Sequence, residues 1–215
     1  MYTLIIFDFD RTLINLNADW PKIRLELKTI LSDFGFQTEV VRTDKSVTEG
    51  LEYIKKKSGE GKAEKLKKKI TEMLEQHECK AVDEASEIIR GTQETLEYIS
   101  SRKIKMAILS GNTTKAINSA LKKFQLEKYF DFIIGEDSVQ HPKPDPEGIE
   151  KIIELLKINK NEVLVIGDST LDILSAKSAG VKSIGVLTGD TSLRELQDAG
   201  ADFIIKSLAE LQKLI

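Results

Sequence analysis

Two aspartates, Asp8 and Asp10, and a hydroxyl, Thr12, follow directly on the apolar run Leu4-Ile5-Ile6-Phe7. Carboxylates this close repel one another, so the pair calls for a cation, a shared proton, or both. Other polar residues stand in the same relation to apolar runs. Ser110 follows Lys105-Met106-Ala107-Ile108-Leu109 and leads into Gly111 and Asn112, while Asp168 follows Val163-Leu164-Val165-Ile166-Gly167. An ammonium, Lys143, lies in the proline-rich segment His141-Pro142-Lys143-Pro144-Asp145-Pro146. Carboxylates, a hydroxyl and an ammonium on one rim suit a hard cation with a phosphate better than a transition metal, and Mg2+ is the natural candidate.

For these side chains to meet, each apolar run has to be a buried parallel strand whose carboxyl end opens into a polar loop. Open α/β sheets bind ligands in the crevice outside those ends, and right-handed crossovers gather the ends along one edge. From residue 91 onward, helical patterns at 92–102, 113–124 and up to about Leu156 alternate with strand-like runs at 105–109, 130–134, 163–166, 183–186 and 202–205. Such alternation predicts an α/β fold, a Rossmann-like three-layer α/β/α core with a mostly parallel sheet. Between the first strand and this alternation the pattern is helical. Ile23, Leu25, Leu27, Ile30, Leu31 and Phe34 recur at helical spacing, and further helices are expected near 47–57, 62–78 and 81–90, with no strand among them. The chain therefore reads as a core of residues 1–14 and 88–215 with an inserted α-helical domain at 15–87.

The 215 residues are enough for one domain with a substantial insertion or for two small domains. A net charge of -3 provides no basic footprint, so neither nucleic acid nor a membrane surface is expected as a partner. The single cysteine, Cys79, excludes an intramolecular disulfide. The start of the chain has no leader-like pattern and no apolar run approaches the roughly 18 residues of a membrane span, which makes a cytoplasmic location the expectation. The lysines at 55–57, 62, 65 and 67–69 alternate with Glu64 and Glu72 and read as a solvated face, with contact to an anionic ligand as the alternative.

Taken in order, the strings carry a resemblance. D-x-D-x-T at Asp8, Asp10 and Thr12, a strand ending in Ser110, Lys143 ahead of Pro144, and G-D-S-x-x-D at Gly167, Asp168, Ser169 and Asp172 resemble the haloacid dehalogenase-like (HAD) hydrolase superfamily, in the subclass with a helical cap inserted after the first motif. The resemblance implies that Asp8 attacks phosphorus to form an aspartyl-phosphate and that Asp10 protonates the leaving alcohol and then activates water. That second role needs a carboxyl whose pKa is held up by carboxylate neighbours. It further implies Mg2+ held by the Asp8 side chain, the Asp10 backbone carbonyl and Asp168, with Asp172 supporting the metal or fixing Lys143. Lys143 and Ser110, helped by loop amides near Gly111 and Asn112, would hold the phosphoryl oxygens. Thr12 would brace the loop beside the substrate. The activity implied is a Mg2+-dependent phosphomonoester hydrolase of the phosphoglycolate phosphatase kind, acting on a small phosphorylated metabolite. A β-phosphoglucomutase-like phosphomutase and a pyrophosphatase are the alternatives.

One residue departs from the pattern. The family's commonest residue after the second aspartate is glycine, and here it is Arg11, whose cation either leans to solvent or reaches the substrate or the cap. Other residues have plainer readings beside functional ones: Ser169 as a helix cap, His141 as a loop residue, Trp20 as packing or pocket wall. Asn15, Asn17, Asp19, Arg24 and Arg42 are candidate substrate contacts of the insertion. A phosphorylatable receiver domain also places acids, a hydroxyl and a lysine at sheet ends, but has no use for an insertion of about seventy residues. The sequence leaves open whether the chain is a monomer or a homodimer.

Overall fold

The computed structural model describes residues 2–37 and 43–215, so Arg42 lies outside the described residues. The chain divides into two compact units, Met1–Leu16 with Ser86–Ile215, and Asn17–Ala85.

The first unit is built on β1 (Leu4–Phe7), all four residues of which are fully buried. It pairs in parallel with β4 (Lys105–Leu109) on one side and with β6 (Val163–Gly167) on the other, in a register that sets Phe7 level with Ile108 and Ile166. Beyond them lie β5 (Phe132–Ile134), β7 (Lys182–Val186) and β8 (Phe203–Ile205), giving a six-stranded parallel sheet in the order β5-β4-β1-β6-β7-β8. The order reverses at β1, where the chain leaves first toward one edge and later toward the other. Near-continuous Val, Ile and Leu in these strands is what burial on both faces demands. Leu4, Ile6, Val163 and Val165 share one apolar cluster with Ile149, Ile152 and Ile153 of α6 (Glu147–Leu156) and Ala176 and Ala179 of α7 (Thr170–Ala179). The alternate residues, Ile5, Phe7, Ile108 and Ile166, are fully buried as well. Right-handed crossovers place α4 (Thr92–Ser101) and α5 (Thr114–Phe124) over that second face, and α8 (Leu193–Ala199) with α6 and α7 over the first. The expected α/β core is thus the one found.

The local expectations hold at β4 and β6 and fail in three places. The helix near 81–90 is absent: α3 (Glu60–Glu84) ends earlier, and the chain continues as β3 (Glu87–Ile88), paired antiparallel with β2 (Ile14–Asn15). A strand was not expected in this stretch. Two-residue strands are too short to show a period of two, and in this ribbon Ile14 stands opposite Ile88 and Asn15 opposite Glu87. Phe130 and Asp131 do not belong to β5. A 3-10 turn at Glu127–Tyr129 precedes them, and the Asp131 carboxylate accepts the Met106 N–H at 3.1 Å instead of continuing the strand. Leu25 leaves the apolar stripe of α1 (Trp20–Asp33) and is 69% exposed, whereas Ile23, Leu27, Ile30 and Leu31 are buried at i, i+4, i+7 and i+8.

The second unit contains α1, α2 (Thr43–Ser58) and α3 around its own core of Ile23, Leu27, Leu31, Ile54, Leu66 and Ile70, with Trp20 half-buried against it. Lys55 and Lys69 lie on its surface, paired with Glu60 at 2.8 Å and Asp33 at 3.5 Å. Among the described residues no helix is long and apolar enough to cross a membrane.

Because β1 is the centre of the sheet, truncation there should be felt globally. Ile6→Ala is expected to destabilise the chain by about 2–5 kcal/mol in chemical denaturation, through lost burial and a residual cavity.

Candidate active site

Asp8 is the first residue past β1, and its N–H still donates to Ile166 O at 2.8 Å, which extends the ladder to β6 by one step and fixes the Asp8 backbone. The chain then turns. Leu13 and Ile14 N–H groups donate to Phe9 O at 2.9 and 3.1 Å, and Arg11 at the apex has φ 63. That left-handed backbone suits glycine, which accounts for glycine as the common residue here and leaves the arginine unexplained by the turn itself. The Asp10 carboxylate accepts Leu16 N–H at 2.8 Å on the far side of the turn.

Lys143 joins the strand ends. Its Nζ donates to Asp8 Oδ1 at 2.8 Å, Asp172 Oδ1 at 2.5 Å and Leu109 O at 3.3 Å, so all three ammonium hydrogens have partners. Asp172 uses its second oxygen on the Ser169 N–H and hydroxyl, at 3.0 and 2.6 Å, as the reciprocal half of the capping box that starts α7. A Cβ on Gly167 would collide with the Asp172 carboxylate, so glycine is needed to seat it. Asp172 therefore fixes Lys143, one of the two roles expected for it. Thr12 Oγ1 donates to Asp168 Oδ1 at 3.4 Å, which makes Thr12 a brace for that carboxylate.

Ser110 is buried past β4, bonded through its hydroxyl to Asn112 Oδ1 at 3.0 Å and from Asn112 N–H at 3.1 Å. Gly111 between them is exposed, and a Cβ there would meet nothing. Thr113 caps α5 immediately afterward, so this loop ends in helix amide groups.

Oxygens of Asp8, Asp168 and Asp172 lie within 4.8 Å of one another, all three residues being buried. The Asp10 carboxylate is turned to Leu16 and is not in that group. Three buried carboxylates against one ammonium leave surplus negative charge, and the pKa shifts record it. Burial first, with Asp172 adding and Lys143 opposing, raises Asp8 to about 6. Burial, then Asp8 and Asp172, raises Asp168 to about 8. Burial alone would depress Lys143, but Asp172 and Asp8 outweigh it and keep the ammonium charged. Asp10 is raised too, chiefly by burial. The expected support from carboxylate neighbours is a minor contribution, from Asp190. The oxygen-only donor set and its uncompensated charge fit a hard divalent cation.

Arg11 does not simply lean to solvent. Its guanidinium pairs with Asp190, in the loop after β7, while its carbonyl accepts Thr188 Oγ1 at 2.5 Å. Gly189 between these partners packs on the Asp168 carboxylate so closely that any Cβ would overlap it. This Thr188-Gly189-Asp190 loop was not among the expected site residues, although it lies at a strand end like the others, directly after Val186 and Leu187. The His141 ring, exposed, meets Glu147 at 3.1 Å, Asp19 caps α1 through Lys22 N–H, Asn17 donates to Ala85 O, Asn15 donates to Glu87, and Arg24 is exposed.

The raised carboxyls carry a consequence for stability. Asp8 and Asp168 keep a proton in the folded chain at pH values where the unfolded chain has lost it, so their stabilising contribution is full below 3.8 and is lost as pH rises through about 6 and about 8. In EDTA, Asp168→Asn should therefore melt above the parent chain near pH 8, with the gap closing toward about pH 5. Melting curves that stay parallel across this range would contradict the assignment.

The sequence profile of the haloacid dehalogenase-like hydrolases matches residues 5–186. Pyrophosphatase PpaX of Halalkalibacterium halodurans is 28% identical over 222 residues, covering 98% of this chain and 95% of its own. Phosphoglycolate phosphatase of Mannheimia succiniciproducens is 25% identical over 223 residues, covering 100% and 98%. The crystal structure of a Bacteroides fragilis protein described as a putative haloacid dehalogenase-like hydrolase superposes with a TM-score of 0.74 at 29% identity, over 98% of this chain and 100% of that one. With a match that spans most of the chain and the ends of β1, β4 and β6, the chain belongs to the haloacid dehalogenase-like hydrolase family.

Proposed function

We propose that the chain is a Mg2+-dependent phosphomonoester hydrolase acting on a small phosphorylated metabolite through an aspartyl-phosphate on Asp8. The observation that carries this reading is the pairing of two unlike carboxyls at the end of β1. Asp8 is bonded to the Lys143 ammonium and oriented by it, whereas Asp10, two residues on, is half-buried, bonds to the Leu16 N–H instead of an ammonium, and has its pKa raised. One is set up as a nucleophile and the other as a proton carrier.

In the first half-reaction an Asp8 carboxylate oxygen attacks phosphorus, the bond from phosphorus to the leaving oxygen breaks, and the Asp10 proton passes to that oxygen. In the second, Asp10 as carboxylate removes a proton from water as the water oxygen attacks phosphorus, the bond to Asp8 breaks, and phosphate leaves. Lys143 and the Ser110 hydroxyl are assigned to the equatorial phosphoryl oxygens, with Gly111 and Asn112 supplying loop amides. Asp8, Asp168 and the Asp10 carbonyl are the assigned Mg2+ ligands, with Asp172 holding Lys143 behind them. When bound, the ion supplies positive charge that offsets repulsion between the nucleophile and a phosphate dianion. Thr12 keeps Asp168 in place for it. The helical unit is assigned the substrate-selecting part of the cap that the sequence resemblance implies.

The test is phosphate release from p-nitrophenyl phosphate, a panel of small phosphate esters and pyrophosphate. Turnover should require Mg2+, stop in EDTA, and fall by more than about a thousandfold in Asp8→Asn. Asp10→Asn should lose about 10²–10⁴-fold, with the larger loss on esters of poor leaving groups, which most need the proton. Absence of release from every substrate by the folded, Mg2+-loaded chain would refute a hydrolase.

A further inference from the structure

We infer that Arg11 and Asp190 form an exchangeable ion pair that favours substrates whose leaving group carries its own negative charge, a second phosphate or a carboxylate, which displaces Asp190 from the guanidinium. The inference rests on the phosphoryl-transfer reading and concerns which substrates are preferred.

Position comes first. Asp10 is assigned to protonate the leaving oxygen, so the residue next to it borders the side on which the leaving group departs. Arg11 cannot drift from there, because its N–H donates to Ile14 O at 2.7 Å and its carbonyl accepts the Thr188 hydroxyl at 2.5 Å. Its φ of 63 is a conformation that glycine takes without cost and an arginine does not, so the backbone offers no reason for a long cationic side chain. A sparsely populated backbone conformation held at a site points toward use of the side chain.

Charge comes second. The Arg11 guanidinium pairs with Asp190 and also interacts electrostatically with Asp10 and Asp168. Those carboxylates repel a leaving group that is itself an anion, and a local cation offsets that repulsion. The planar fork of an arginine matches carboxylate and phosphate oxygens in two-point contact.

Exchangeability comes third. The Asp190 side chain is 89% exposed and that of Arg11 35% exposed. Exposed pairs of this kind contribute little net free energy, because water replaces either partner readily. Asp190 therefore holds Arg11 in place when no substrate is bound and gives way to an anion that brings additional contacts to the site.

The experiment compares kcat/KM for two anionic substrates, pyrophosphate and phosphoglycolate, with two esters of uncharged leaving groups, p-nitrophenyl phosphate and glycerol 1-phosphate. Arg11→Gly suits the left-handed backbone and so is expected to fold, which thermal unfolding checks. It should lower the ratio of anionic to uncharged substrates by about tenfold or more, while Asp190→Asn should raise it a few-fold through KM. Loss of either the phosphate-bearing or the carboxylate-bearing preference alone identifies which anion the pair serves. An Arg11→Gly ratio within about twofold of the parent would overturn the inference and leave Arg11 as a brace, while any Mg2+-dependent turnover by the parent would still uphold the hydrolase reading. A second readout is independent of turnover: on an Asp8→Asn background with Mg2+, calorimetric affinity for pyrophosphate relative to inorganic phosphate should fall about tenfold on adding Arg11→Gly. An unchanged relative affinity would overturn the inference even if no ester were hydrolysed.

Discussion

The structure depends on one electrostatic constraint: three carboxylates, from Asp8, Asp168 and Asp172, are buried within 4.8 Å of one another around a single ammonium. In water such a group would disperse. Here the backbone prevents it, because Asp8 is held by the β1–β6 ladder, Asp172 by its capping box with Ser169, and Asp168 by Thr12 and the close approach of Gly189. A buried charge cluster of this kind is a poor source of stability, since desolvation consumes most of the attraction. It makes sense as a site prepared for charge that arrives with substrate and cation, so the strain of assembling it is met by the apolar sheet beneath.

The sheet explains why these residues and not others. The strands β4, β1 and β6 are the three at the centre, and the strand order reverses at β1, so their carboxyl ends define the crevice typical of open α/β sheets. Fully buried strands allow no lateral freedom, and the first residue beyond each one inherits that rigidity. Lys143 comes from outside this set, in the loop between β5 and α6, and reaches the cluster by donating to Leu109 O as well as to the two aspartates. Ser169 and Gly167 act one step further out. The first seats Asp172 and the second makes room for it, so neighbours with no part in the chemistry decide the distance at which Lys143 meets Asp8.

Much of this was legible in the sequence, and the failures have physical causes. Asp8, Ser110 and Asp168 announce themselves because each interrupts an apolar run long enough to be a strand, and the ordered motifs tie them to Lys143 and Asp172. The ribbon of Ile14–Asn15 with Glu87–Ile88 was illegible, because two-residue strands carry no periodicity and their partner is some seventy residues away. The raised pKa of Asp10 was foreseen, but its cause was not: neighbouring carboxylates are visible as letters, whereas burial is a property of the folded turn. Asp190 was missed because an exposed acid in a loop resembles any surface acid. Only the left-handed backbone at Arg11 and the packing of Gly189 on Asp168 show that this loop belongs to the site.

The central claim is that phosphorus passes through a covalent bond to Asp8. The most direct measurement is mass spectrometry of acid-quenched Asp10→Asn protein after mixing with p-nitrophenyl phosphate and Mg2+. The good leaving group departs without an acid, while hydrolysis of the acyl phosphate lacks its base, so the intermediate should accumulate. The predicted result is one phosphoryl group on the tryptic peptide that ends at Arg11, located at Asp8 by fragmentation. The contradicting result is an unmodified peptide from a variant that still releases p-nitrophenol over many turnovers, which would mean that water attacks phosphorus directly.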